Sequence, residues 1–108
     1  MTSDRQLIAN LLQSLVLELK HLGEWQASPP SPKQLASELP FCVDTLTFYQ
    51  WLQWVFVAKM QWLIDHKQPL PSVCAITPAA VEVIKPSDNT GHLLALIAAL
   101  DAAISAAD

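Results

Sequence analysis

The chain has 108 residues, 52% of them hydrophobic and 15% charged, a balance too apolar for intrinsic disorder and sufficient for one core in a single domain spanning residues 1–108. Six basic against ten acidic residues give a net charge of -4, so no long-range field draws the chain to phosphate backbones or anionic lipid and direct nucleic-acid binding is not expected. Met1 to Asp4 lacks the basic start of a secretory leader, and the most apolar stretch, Trp51 to Ile64, is interrupted by Gln53, Lys59 and Gln61 and falls short of a span of about 20 residues, which predicts a cytoplasmic protein without a membrane segment.

The first element is predicted from about Ser3 to Leu22, where Leu7, Ile8, Leu11, Leu12, Leu15, Leu19 and Leu22 recur at the three- and four-residue spacing of one helix face. Ser3 or Asp4 is placed to cap it and Gly23 to stop it. Ser28-Pro29-Pro30-Ser31-Pro32 forbids a helix until Pro32 opens a short one through about Glu38. Pro40-Phe41-Cys42-Val43 breaks the chain again, and Asp44 is the expected N-cap of the longest helix, about Thr45 to His66, which Gln68-Pro69-Leu70-Pro71 ends. Thr77-Pro78 then reads as N-cap plus first-turn proline of a helix of roughly two turns that Pro86 terminates. After a turn at Ser87 to Gly91, a helix from about Thr90 to Ala106 places Leu93, Leu96, Ile97, Leu100 and Ile104 on one face. No segment alternates with the period of a strand. The expected fold class is all-α, a small up-and-down bundle of about four main helices with proline-rich connections.

At about 100° per residue, Phe48, Tyr49, Leu52, Val55, Phe56, Met60, Trp62 and Leu63 share the apolar arc of the central helix, with Thr47, Gln50, Gln53, Gln61 and Asp65 opposite. Lys59 falls inside the apolar arc. One reading lays its stem along the core with the ammonium at the surface; the other is a partly buried ion pair with Glu18 or Asp101, each at the edge of a facing stripe. Trp54 falls in the polar arc, where it either covers a neighbouring loop or, with Gln50 and Gln53, forms an anchor for a protein partner.

Cys42 and Cys74 are isolated and read as small apolar residues of a reducing compartment. His21, His66 and His92 have no ligand spacing, so no metal site is expected. With two glycines the chain has no phosphate loop, and it has neither a nucleophile motif nor helix-borne carboxylate-histidine pairs. No cofactor and no catalytic residues are assigned, and the protein is read as not an enzyme.

The run Pro40-Phe41-Cys42-Val43-Asp44-Thr45-Leu46, then Phe48, then Gln50-Trp51-Leu52-Gln53-Trp54-Val55-Phe56, followed by Met60 and Pro69-Leu70-Pro71, resembles the YqcC-like family of small bacterial proteins. The likeness extends to Gly23, Trp25, the Pro29-to-Pro32 segment, Pro78 and the last helix. Where the family usually has Ile-Pro-Arg, this chain has Val57-Ala58-Lys59, which keeps the charge but loses the proline and the guanidinium fork. The resemblance implies a bundle of four main helices and no known activity. Its members are often encoded beside a tRNA pseudouridine synthase and have sometimes inherited that enzyme's name, yet such synthases are larger mixed α/β enzymes with an aspartate nucleophile in a basic cleft. Three functional readings follow. The first is an accessory protein, linked through the resemblance to tRNA pseudouridine formation, that contacts a protein partner through Gln50, Gln53 and Trp54. The second is a binder of a small apolar carboxylate between the helices near Trp51, Phe56 and Lys59. The third is a structural homodimer.

Overall fold

A computed structural model describes residues 4–71, 74–84 and 89–106. The leucine stripe of the first element winds into helix α1, Asp4–His21, in which Ile8, Leu12, Leu15 and Leu19 are fully buried, the four-three-four spacing of one helical face. Leu7, expected on that face, lies at its edge and stays 45% exposed. Gly23 stops the helix in the left-handed conformation, at φ 75°. Its N–H donates to the Lys20 carbonyl and that of Glu24 to the Leu19 carbonyl, the paired closure that satisfies the last carbonyls of a helix.

Ser31 and Gln34 cap α2, Pro32–Leu35, reciprocally, as a capping box does. The helix ends short of the expected Glu38, because Ser37 donates to the Asp44 carboxylate and accepts from the Leu39 N–H. The chain then turns tightly through Pro40–Cys42, with Phe41 and Cys42 at φ 57° and 50°. Left-handed φ in residues bearing a Cβ is costly and persists where packing over-determines it. Here the Phe41 ring lies edge-on to Trp51 with centroids 4.7 Å apart and beside Phe48 at 5.5 Å.

The central helix begins later than expected and is not a simple α-helix. Its cap is Thr47, not Asp44: the Thr47 hydroxyl accepts from the Gln50 N–H while the Gln50 side chain accepts from the Thr47 N–H. It runs as α3, Phe48–Trp51, a π segment, Leu52–Val57, and α4, Ala58–Asp65, with right-handed helical dihedrals at both junctions. A π segment carries i→i+5 pairing. Phe48, Leu52, Phe56 and Met60 keep a four-residue spacing on the buried face, and within the π segment Gln53 and Val57 are buried beside them.

Helix α5, Thr77–Val83, and helix α6, Gly91–Ala106, complete the bundle. Leu93, Ile97, Leu100 and Ile104 of α6 are buried and face α1, while α5 packs on α6 and α4 on α1. Each fully buried side chain contributes about 1.5–3 kcal/mol relative to exposure, so the two four-membered stripes dominate the core. The expected Ser3 cap, the Pro86 stop and residues 87–88 of the expected turn lie outside the described residues. Among the described residues there is no strand, and no helix is long and apolar enough to cross a membrane.

Candidate functional site

Gln50, Gln53 and Trp54 converge, but on a residue of their own chain. The Gln53 side chain is 4% exposed. Its Oε1 accepts from the Gln26 N–H at 2.8 Å and its Nε2 donates to the Gln26 carbonyl at 2.8 Å. Gln50 Nε2 and Trp54 Nε1 both donate to Gln26 Oε1, at 3.3 and 3.1 Å. The three residues therefore hold the loop that follows α1 against the central helix. Gln53 was expected on the exposed polar arc; the loop after α1 closes over it, and its amide replaces water for a loop with no regular backbone pairing. Trp54 covers that loop and is partly buried.

Of the two readings of Lys59, the structure shows the exposed one, and no pair with Glu18 or Asp101 is formed. Asp101 instead works as a cap supplied from another helix. Its Oδ2 accepts from the Thr77 N–H at 2.7 Å and the Thr77 hydroxyl at 2.6 Å, and its Oδ1 from the Ile76 N–H at 3.0 Å and the Cys74 thiol at 3.1 Å. Thr77 was expected to cap α5 with its own side chain; its hydroxyl donates to Asp101 instead, and the carboxylate satisfies the free N–H groups. Burial pushes the Asp101 carboxyl up, and the hydrogen bonds from Thr77, Ile76 and Cys74 outweigh it, so the group sits below its ordinary range. The Cys74 thiol is driven up to about 12, first by burial and then by its hydrogen bond to Asp101 and that residue's charge. Glu18 lies elsewhere, beside a shallow depression that His21 and His92 also line. No cluster that could hold a metal ion occurs among the described residues.

Two grooves flank the Phe41 ring. One, of about 330 Å³, is lined by Trp51, Phe56 and Lys59 together with Ile76 and Ile104, so the structure brings together the three residues singled out for a pocket. The other, of about 470 Å³, is lined by Val43, Leu46, Phe48, Tyr49 and Val83, with Glu24 as its charged member. Val43 and Val83 there are 65% and 56% exposed. Burial, and secondarily the charge of Glu24, raise the Tyr49 hydroxyl above its ordinary value. Val43 and Val83 lie together on the rim of this apolar groove.

The family model described as "DUF446: tRNA pseudouridine synthase C" matches residues 7–103. The chain belongs to this family. Within it, an uncharacterised protein of Haemophilus influenzae is 37% identical over 90 residues, 83% of this chain and 85% of that one. The uncharacterised protein YqcC of Escherichia coli is 42% identical over 67 residues, 62% of each chain. The solution NMR structure of YqcC from E. coli superposes with a TM-score of 0.85 at 32% identity, covering 100% of this chain and 92% of that one, so the helical bundle is the family's fold. A Pectobacterium carotovorum protein named tRNA pseudouridine synthase C is 43% identical over 47 residues, 44% of this chain but 12% of that protein.

Proposed function

We propose that this DUF446 protein is a non-catalytic accessory protein of tRNA pseudouridine formation in the cytoplasm, acting by binding the synthase. The observation that carries this reading is the Pectobacterium relative. A segment 43% identical to this chain, only 12% of the longer protein's length, sits within one polypeptide that carries the synthase name. Segments joined in one chain in one bacterium are candidates for contact when they are encoded separately.

The surface that suits the contact is the Val43–Val83 groove. The polar atoms of Gln50, Gln53 and Trp54 are already engaged with Gln26, which leaves little there for a partner. The valine groove offers exposed apolar area with Glu24 beside it, and a chain of net charge -4 complements an apolar segment flanked by a basic residue on an enzyme that handles RNA.

The test mixes this protein with the purified pseudouridine synthase of the same bacterium and reads the complex by analytical ultracentrifugation. Wild type is expected to form a defined complex that Val43→Glu/Val83→Glu weakens at least tenfold, with melting of the variant unchanged. Pseudouridine in cellular tRNA is expected to fall when the protein is deleted. No complex together with unchanged tRNA pseudouridine would overturn the reading, as would self-association of this chain alone through the same groove.

A further inference from the structure

The groove beside Trp51 differs from the valine groove in holding a cation, and its shape depends on the π segment. In a regular α-helix, residues five apart diverge by about 140°. The i→i+5 pairing of a π turn instead brings them to one side, and Trp51 and Phe56 accordingly stack, with ring centroids 6.0 Å apart and planes at 19°. The two rings make one wall. Val55 and Pro71, both partly exposed, add aliphatic surface. Lys59, one turn beyond Phe56, is exposed along the same groove.

The charge there has no partner of its own. Among the described residues no carboxylate pairs with Lys59. The nearby acid behind the groove, Asp101, is occupied by donors from Cys74, Ile76 and Thr77. Cys74, the other titratable group of the lining, keeps its proton, held there by burial and by Asp101. The groove thus presents one uncompensated positive charge beside apolar and aromatic surface. Its volume of about 330 Å³ is at the small end of ligand pockets.

We infer that this groove binds a small monocarboxylate with a short apolar body, the carboxylate on Lys59 Nζ and the hydrocarbon against Trp51, Val55, Phe56 and Pro71. A dication or a sugar finds no acceptors in such a lining, and a polyanion finds only one cation. The apolar body supplies most of the affinity through buried area, and the exposed lysine selects the anion over its neutral relatives.

The test titrates octanoate, with its methyl ester as the uncharged control, into isotopically labelled protein followed by two-dimensional NMR. Octanoate is expected to shift the Trp51 indole N–H and the Val55 methyls in a saturable way. Lys59→Met is expected to weaken octanoate roughly three- to tenfold, the scale of one partly solvated ion pair, while Lys59→Arg retains it and binding of the ester is the same in all three proteins. Lys59 is exposed, so the substitutions leave the fold intact, which melting curves check. Equal octanoate binding by wild type and Lys59→Met, shifts confined to Val43 and Val83, or no saturable shift at millimolar octanoate would each overturn the inference.

Discussion

The side-chain amide of Gln53 pairs with both backbone polar groups of Gln26, donating to its carbonyl and accepting from its N–H, each at 2.8 Å. A strand neighbour pairs with a backbone in this way, and here a side chain supplies both halves. Replacing it leaves two partly buried backbone groups without partners, so Gln53→Ala is expected to destabilise the protein by about 1–3 kcal/mol. Gln53→Glu keeps the acceptor but sets a carboxylate against the Gln26 carbonyl, and its deficit should exceed that of alanine at neutral pH and shrink when the carboxyl is protonated. Urea unfolding of the three proteins measures both effects. A Gln53→Ala variant within about 0.5 kcal/mol of wild type would reduce the pairing to the weight of an ordinary surface contact.

Asp101 caps α5 from α6, and its carboxyl is held below its ordinary value of 3.8 because the hydrogen bonds from Thr77, Ile76 and Cys74 outweigh burial. A depressed folded value means the unfolded chain binds the proton more readily. The stabilisation is therefore fully present above pH 3.8 and is lost as pH falls through the lower, folded value. Asp101→Asn is expected to cost about 1–2 kcal/mol at pH 7, discounted for the partial solvation of the group. The gap between wild type and variant should narrow as pH falls below 3.8. A gap that stays constant from pH 7 to pH 3 would show that geometry, not charge, is what the carboxylate supplies.

The stripes of α1 and α6 were legible because each repeats its apolar residues at helical spacing through a regular helix, and Gly23 was legible because a left-handed closure favours glycine. On the central helix Phe48, Leu52, Phe56 and Met60 are buried as the periodicity expects, whereas Gln53 is buried and Trp62 exposed against it. A uniform angle of about 100° per residue assumes 3.6 residues per turn, and the π segment at Leu52–Val57 breaks that assumption without any glycine or proline to announce it. Gln53 is buried where the loop carrying Gln26 closes over it, a contact distant in sequence. Trp51 and Phe56, by contrast, were placed on the groove with Lys59. One further signal was available: Thr47 followed three residues later by Gln50 is the capping-box pattern, which outranks Asp44. The Asp101 cap could not be read, because it joins residues 24 apart in sequence that only the packing of α5 on α6 brings together.

Cys74 offers a chemical readout of the same contact. With its thiol pushed to about 12 by burial and then by Asp101, roughly one molecule in ten thousand carries the reactive thiolate at pH 8. Alkylation by iodoacetamide, followed on the Cys74 peptide by mass spectrometry, should be far slower than for an unhindered cysteine. Asp101→Asn removes the carboxylate's charge but not the burial, so the rate should rise measurably without reaching the unhindered value. An unchanged rate would assign the suppression to burial alone.

Lys67 closes α4 as Gly23 closes α1, but with a side chain in the left-handed region, at φ 54°. Its N–H donates to the Ile64 carbonyl and that of Gln68 to the Leu63 carbonyl. Arg5 of α1 reinforces the same end, its guanidinium donating to the Leu63 and Gln68 carbonyls at 3.1 and 2.8 Å. Left-handed backbone costs a residue with a Cβ roughly 1–2 kcal/mol, whereas glycine loses about 0.5–1 kcal/mol through the entropy of its unfolded state. Lys67→Gly should therefore stabilise the protein by about 0.5–1 kcal/mol, and Lys67→Ala, which keeps the Cβ, should gain nothing. Arg5→Ala, in contrast, should destabilise by about 1 kcal/mol, since it removes two charge-assisted hydrogen bonds that tie α1 to the end of α4. Thermal and urea unfolding of the three variants read these signs directly. A loss of stability in Lys67→Gly would mean that the left-handed closure carries no strain here and that the Lys67 side chain makes a contribution of its own.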